Sequence, residues 1–139
     1  MLRLILLPFI CLSYFTCKPI PFEPNTLKQN YIHFGNGGGF TGAVTAFYLT
    51  TEGKLYKMEG SNIIQIGETN QNITDQMFSL PKTLNVKNNP YNVPGNKYFF
   101  IEYFIDNDLQ KIVWGGDQNH PKSYETWYHN LMHIVKIEN

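Results

Sequence analysis

Arginine, cysteine and net charge are all scarce in this chain of 139 residues, and each scarcity excludes a class of function. Arg3 is the only arginine, which argues against a site that recognises phosphate with paired guanidinium groups. Lysine and arginine together number 11, as do aspartate and glutamate, so the formal charge is zero. Nucleic-acid-binding proteins normally carry a basic excess, and we therefore expect no nucleic-acid partner.

The two cysteines, Cys11 and Cys17, both lie near the N-terminus, ahead of the segment that we expect to fold. A folded part without thiols has no disulfide, no cysteine nucleophile and no cysteine-ligated metal. Hydrophobic residues make up 42% of the chain and charged residues only 16%, so the chain can still build a core. Its length suits one domain.

The first 17 residues have the composition of an export signal. Arg3 supplies a positive charge, and an uncharged, mostly apolar stretch follows from Leu4 to Phe15. This stretch is shorter than the roughly 20 residues that a helix needs to span a bilayer, and Pro8 interrupts it. A buried first strand or helix of the domain is the alternative interpretation.

Residues 13–17, Ser-Tyr-Phe-Thr-Cys, resemble the lipobox of bacterial lipoproteins, in which the cysteine becomes the first mature residue and carries acyl chains. Two positions depart from the usual pattern: Tyr14 stands where an aliphatic residue is usual, and Thr16 where Gly, Ala or Ser is usual. The resemblance implies lipid attachment at Cys17 and a membrane anchor at the N-terminus.

Beyond the signal, the sequence predicts a tether at residues 18–30 and a single domain at residues 31–139. Three prolines between Lys18 and Pro24 favour an extended, polyproline-like tether. In the domain, β-branched and aromatic segments predict five strands, at residues 31–34, 40–50, 54–58, 97–105 and 109–114. With two helices the order is β-β-β-α-β-β-α, which predicts the α+β class: an antiparallel sheet of about five strands with both helices packed on one face.

The two helices are predicted from apolar periodicity. The first has Thr69 or Asn70 as a cap and should end near Leu80, because Pro81 follows; its apolar residues are Ile73, Met77, Leu80 and Leu84. The second begins at Pro121, and its apolar stripe is Tyr124, Trp127, Tyr128, Leu131 and Val135.

A glycine-rich run from Gly35 to Gly39 separates the first two predicted strands. It leads into a strand and lacks a Gly-Lys-Ser/Thr ending, so it is not a phosphate-binding loop. One interpretation is a flexible hairpin connection whose glycines adopt positive φ, with Gly42 as a bulge in the second strand. The other is an exposed loop that lies against a partner, formed by Gly37, Gly38, Gly39, Phe40 and Thr41.

Residues able to carry out chemistry are dispersed. His129 and His133 are four residues apart on the last helix, but the spacing puts them opposite the apolar stripe, which predicts an exposed pair and not a metal site. Asp117 and His120 form either a capping pair or the acid–base pair of a hydrolase. We expect no catalytic residue, metal or cofactor, and hence no enzyme.

Aromatic residues are more numerous than one face of a small sheet must bury. In the segment from Tyr98 to Ile105, both faces of the predicted strand are apolar apart from Glu102. The sheet is therefore either covered on both sides or presents an aromatic surface to a partner.

Two family resemblances follow from these motifs. The blocks Phe34–Gly42, Pro94–Phe100 and Ile112–Gly115, followed by an amphipathic helix, resemble small exported lipoproteins of the Bacteroidota that have no assigned function. The segment Gly38–Gly42, the hairpin centred on Tyr98 and the helix begun at Pro121 resemble emfourin, a proteinaceous inhibitor of thermolysin-like metalloproteases. The second resemblance implies that Gly37 to Thr41 face a protease, although Thr41 stands where that family tends to have Ala.

Together these patterns predict an exported, lipid-anchored, non-enzymatic binding module of the bacterial envelope, facing the periplasm or the cell surface. Its expected partners are the membrane, through the N-terminal lipid, and a protein such as a protease. The alternatives are an inhibitor of a secreted metalloprotease, a small hydrolase that uses Asp117 and His120, and a structural subunit that docks through an aromatic sheet face.

Overall fold

The computed structural model describes residues 22–24, 29–116 and 119–138, which form one sheet and two helices. The α+β class is confirmed. The helices are α1 (Gln71–Thr83) and α2 (Lys122–Glu138), with a single 3-10 turn at Val86–Asn88. The strands are β1 (Tyr31–Gly38), β2 (Thr45–Thr50), β3 (Lys54–Glu59), β4 (Asn62–Glu68), β5 (Asn92–Val93), β6 (Lys97–Ile105) and β7 (Asp108–Gly115).

The sheet has seven strands in the order β4-β3-β2-β1-β6-β7-β5. All neighbours are antiparallel except β5 and β7, which are parallel. The predicted antiparallel sheet of about five strands is therefore roughly similar to the structure, but it misses two strands and the parallel pair. The missed strand β4 lies at the sheet edge with mostly exposed residues and lacks the burial pattern of an inner strand. The two residues of β5 lie in a segment whose composition is typical of a loop. They belong to the sheet because they pair with β7, and the Val113 N–H donates to the carbonyl of the preceding Tyr91 at 2.9 Å.

Both helices lie against the same face of the sheet, where the main core forms. Strand residues such as Ile32, Leu49 and Ile101 pack there with Met77 of α1 and with α2. The predicted apolar stripe of α2 is buried at every position: Tyr124, Trp127, Tyr128, Leu131 and Val135.

Local signals placed several boundaries correctly. Asp106 and Asn107, between β6 and β7, both have positive φ, the conformation that a two-residue hairpin turn requires. Asn70 caps α1, because its side-chain oxygen accepts a hydrogen bond from the Ile73 N–H at 3.0 Å. The prediction that α1 ends near Leu80 is wrong.

Helix α1 continues past Pro81 to Thr83. The φ of proline is compatible with a helix, and its missing N–H removes a single hydrogen bond. Pro81 lies in the last turn of α1, so this loss falls at the end of the helix. The Leu84 N–H then donates to the Leu80 carbonyl at 2.8 Å and closes the helix, while the Pro81 ring is buried.

The glycine-rich run belongs to the sheet and not to a flexible connection. Strand β1 continues through it to Gly38, while β2 begins only at Thr45, so the predicted bounds of both strands are wrong. The run has neighbours on both sides, since Asn36 pairs with Thr45 in β2 and Gly38 pairs with Lys97 in β6. At Gly35 an added Cβ would overlap the Thr45 carbonyl, so close packing of strands explains that glycine.

The other sheet face carries two aromatic clusters and no helix residue within the described part of the chain. Phe22 is 7% exposed and its ring stacks on Tyr56 at a centroid distance of 4.8 Å. The predicted tether therefore contacts the domain at Phe22. Residues 1–17, with Cys17, lie outside the described residues, and none of the described helices is long and apolar enough to cross a membrane.

Candidate partner-binding site

Three chain segments meet at one end of the sheet, which we call the loop end: residues 39–44, residues 94–96 and Gly116. They are held together by backbone hydrogen bonds. The Gly39 N–H donates to the Asn96 carbonyl at 2.8 Å, and the Gly116 N–H donates to the Lys97 carbonyl at 3.3 Å. The three segments of the loop end are therefore tied to one another and to the start of β6, and are not independent loops.

The turn at residues 39–44 begins at a position that only glycine can occupy without strain. Gly38 has φ +89°, and an added Cβ would overlap the Asn96 carbonyl. Beside it, the Tyr98 ring lies where a side chain on Gly37 would stand. These glycines let β1 pack closely on β6, and this packing fixes where the chain leaves the sheet.

Phe40 projects from this turn into solvent, with a relative exposure of 108%. The turn itself is braced, because the Gly42 N–H donates to the Gly39 carbonyl at 3.3 Å and the Ala43 N–H donates to Thr41 Oγ1 at 3.4 Å. Among the described residues six large hydrophobic side chains are exposed, and three of them belong to the loop end or its border: Phe40, Val44 and Val93. Such a concentration of exposed apolar side chains is typical of a binding surface.

A small cleft of about 190 Å³ opens between β6, β7 and α2, and Gly116 of the loop end is among its lining residues. Its walls are the rings of Phe99, Trp114 and Tyr128. The cleft is joined to β1 by Asn36, whose side-chain amide donates to the Tyr128 hydroxyl at 2.9 Å. Asn36 also pairs with Phe99 across the sheet, so the cleft lies next to the glycine-rich end of β1.

Glu125 lies at the cleft between two histidines. Its carboxylate is 3.5 Å from His120 Nε2 and 3.7 Å from His129 Nε2. Lys122 Nζ is 3.3 Å away, and its hydrogen bond lowers the pKa of Glu125 below the ordinary value of a glutamate. Sequence reasoning considered both histidines and missed this carboxylate, although its spacing to His129, four residues along a helix, is the signal of a side-chain pair.

The three histidines near the C-terminus differ in exposure. His129 and His133 are both exposed, as expected, and His129 is near Glu125. His120 is mostly buried and its ring lies 5.8 Å from that of Trp114. Asp117, its proposed acid–base partner, lies outside the described residues.

A second polar group lies on the aromatic sheet face, away from the helices. His33 stacks in parallel on Tyr48 at 4.2 Å, and its Nδ1 is 3.4 Å from Glu102. The hydrogen bond with His33 lowers the pKa of Glu102, and Lys111, 3.7 Å away, acts in the same direction. Burial raises the pKa of Tyr48 to about 12, so its hydroxyl keeps its proton and is not a base near neutral pH.

In the part of the chain that the structure describes, no three His, Cys, Asp or Glu side chains are arranged to hold a metal ion. No protein-family model matches the sequence, and no curated protein matches it significantly. The geometry of the loop end is thus the basis for a functional proposal.

Proposed function

We propose that this chain is an exported, lipid-anchored binding module of the bacterial envelope that holds a protein partner through the loop end and has no catalytic activity of its own. The observation that carries the proposal is the full exposure of Phe40 on a braced turn. Burying a phenylalanine side chain yields about 1.5 to 3 kcal/mol, and a turn already held in shape loses little ordering entropy on association.

The most specific partner that we propose is a secreted metalloprotease, which the chain would inhibit. An inhibitor needs a protruding segment that stays rigid in the bound state. A flexible glycine loop would not meet this need. Here Gly37 and Gly38 are strand residues paired with β6, and only residues 39–44, with Phe40 and Thr41, protrude.

The test of binding is a photo-cross-link from position 40. A benzophenone-bearing phenylalanine replaces Phe40 in the full chain, expressed in the envelope of the producing cells, and replaces Leu109 in a control. Leu109 is 55% exposed but lies at the start of β7, at the opposite end of that strand from the loop end. We expect one discrete protein adduct from position 40 and none from position 109; equal, diffuse adducts from both would contradict the proposal.

The test of inhibition is a titration of the full chain against a panel of thermolysin-like metalloproteases. We expect stoichiometric inhibition, and a Phe40→Ala variant should weaken it by about 10- to 150-fold, the equivalent of 1.5 to 3 kcal/mol. Leu109→Ala serves as the matched control and should inhibit like the parent. Absence of inhibition across the panel would refute the protease form of the proposal.

The anchor has its own test, since Cys17 is the proposed site of lipid attachment. Replacement by serine should release the protein from the membrane fraction, because serine does not accept the acyl chain. Replacement of Cys11 by serine is the control and should leave membrane association intact. A Cys17→Ser protein that stays in the membrane fraction would refute lipid anchoring at this residue.

A further inference from the structure

We infer that the cleft between β6, β7 and α2 receives a positively charged side chain of the bound protein, the ammonium of a lysine or the guanidinium of an arginine. The inference deepens the proposed function by naming the chemistry of the partner group, and its biological role rests on that function. The cleft holds about 190 Å³, which suits the end of one long side chain and not a larger ligand.

The walls of the cleft supply the first attraction. Three aromatic rings contact one another there: Phe99 lies 5.8 Å from Trp114 and 5.2 Å from Tyr128, and Trp114 lies 5.8 Å from Tyr128. The faces of aromatic rings carry partial negative charge and attract cations within about 6 Å. Phe99 is the partly exposed ring of the three, since Trp114 is 1% and Tyr128 5% exposed, so the apolar surface of Phe99 is the part that can accommodate the methylene stem of a lysine or arginine.

Glu125 supplies the second attraction, as the one carboxylate among the described residues that line the cleft. Of the cations near it, Lys122 is 88% exposed. An exposed ion pair of this kind contributes little and is readily exchanged. The carboxylate can therefore pair with an incoming cation that the rings have already partly desolvated.

An anion is the alternative ligand for this cleft, because His120 and His129 are close by and α2 begins there. The charges argue against it. The carboxylate of Glu125 lies between the two imidazoles, 3.5 and 3.7 Å from them, and would repel an anion bound to either. Ring faces repel anions as well.

The cleft is continuous with the proposed partner-binding surface. Tyr128, one of its walls, is hydrogen-bonded to Asn36 of β1, and β1 leads within two residues to Gly38 and the braced turn. A protein that covers Phe40 can thus insert one side chain into the cleft.

The direct test is an NMR titration of the full chain with n-butylammonium and n-butylguanidinium, with n-butanol as the uncharged control, at constant ionic strength. We expect saturable shifts of the Gly116, Glu125 and His129 amides with a dissociation constant on the order of millimolar for the cations. Butanol should bind at least about fivefold more weakly. Equal binding of butanol, preferential binding of acetate or phosphate, or no saturation with either cation would overturn the inference.

Two variants locate the site without disturbing the core. Glu125→Gln should weaken cation binding by about tenfold, while Glu59→Gln, which removes a similarly exposed carboxylate 2.8 Å from Lys57, should leave it unchanged. Gly116→Ala adds a methyl group in contact with the Phe99 ring, at 3.4 Å, and should narrow the cleft and weaken binding. Unchanged affinity for the cations in Glu125→Gln would overturn the inference. The photo-cross-link from position 40 does not depend on cation binding in the cleft, so a failure of the inference can be distinguished from a failure of the proposed function.

Discussion

Substitution of Gly38 by alanine tests the claim that the glycine-rich run is a packed strand end. An alanine at φ +89° is strained by about 1 to 2 kcal/mol. Its Cβ would also overlap the Asn96 carbonyl, which must move and give up the hydrogen bond from the Gly39 N–H, a further loss of about 1 kcal/mol. The free energy of unfolding should therefore fall by about 2 to 3 kcal/mol.

Gly42→Ala is the matched control, because Gly42 also has positive φ, +62°, but has no atom within 4 Å of an added Cβ. It should cost only the backbone strain, about 1 kcal/mol. Thermal or urea unfolding of the two variants measures the difference, which corresponds to a melting temperature lower for Gly38→Ala than for Gly42→Ala by roughly 5 to 10 °C. If Gly38→Ala were no less stable than Gly42→Ala, the packing argument for the rigid turn would be refuted.

Two further predictions concern the sheet face that carries no helix. Phe22→Ala should lower the free energy of unfolding by about 3 kcal/mol, because the Phe22 ring is buried against Tyr56. Phe40→Ala should leave the free energy of unfolding unchanged, because the Phe40 ring is exposed. Urea unfolding of both variants measures the difference, and equal stabilities would contradict the packing of Phe22. The hydrogen bond with His33 makes the pKa of Glu102 lower in the folded chain than its ordinary value. This pairing therefore stabilises the fold fully at pH values above the ordinary pKa of a glutamate, and the stabilisation is lost as the pH falls through the lower pKa of the folded state. Unfolding measured from pH 7 to pH 3 should show an acid-side loss of stability that is smaller in Glu102→Gln, and an identical pH profile in the variant would show that this carboxylate does not contribute.

The candidate site was only partly predictable from sequence. The glycine-rich turn and His120 could be singled out by residue type alone. The cleft could not, because its walls come from three separate elements: Phe99 from β6, Trp114 from β7 and Tyr128 from α2. Nothing in the spacing of these residues along the chain indicates that their rings meet.

Local sequence patterns are sufficient to predict those features in which each residue interacts with near neighbours in the chain. The α2 stripe, the cap of α1 and the hairpin turn after Ile105 all depend on contacts within a few residues. Periodicity predicted the stripe, and residue type narrowed the cap to Thr69 or Asn70 and placed a turn between the strands predicted at 97–105 and 109–114. The same local rules also predicted the full extent of β6.

Contacts between distant parts of the chain set where β1 ends, bring β4 and β5 into the sheet and place side chains together at the loop end. Gly35 to Gly38 have no intrinsic preference for a strand. They form one because β6 pairs with the whole segment on one side, while β2 pairs with Gly35 and Asn36 on the other. Strand pairing couples residues that are far apart in the chain, and its free energy depends on the partner strand. A local pattern therefore predicts a helix or a tight turn more reliably than it predicts the neighbours of a strand.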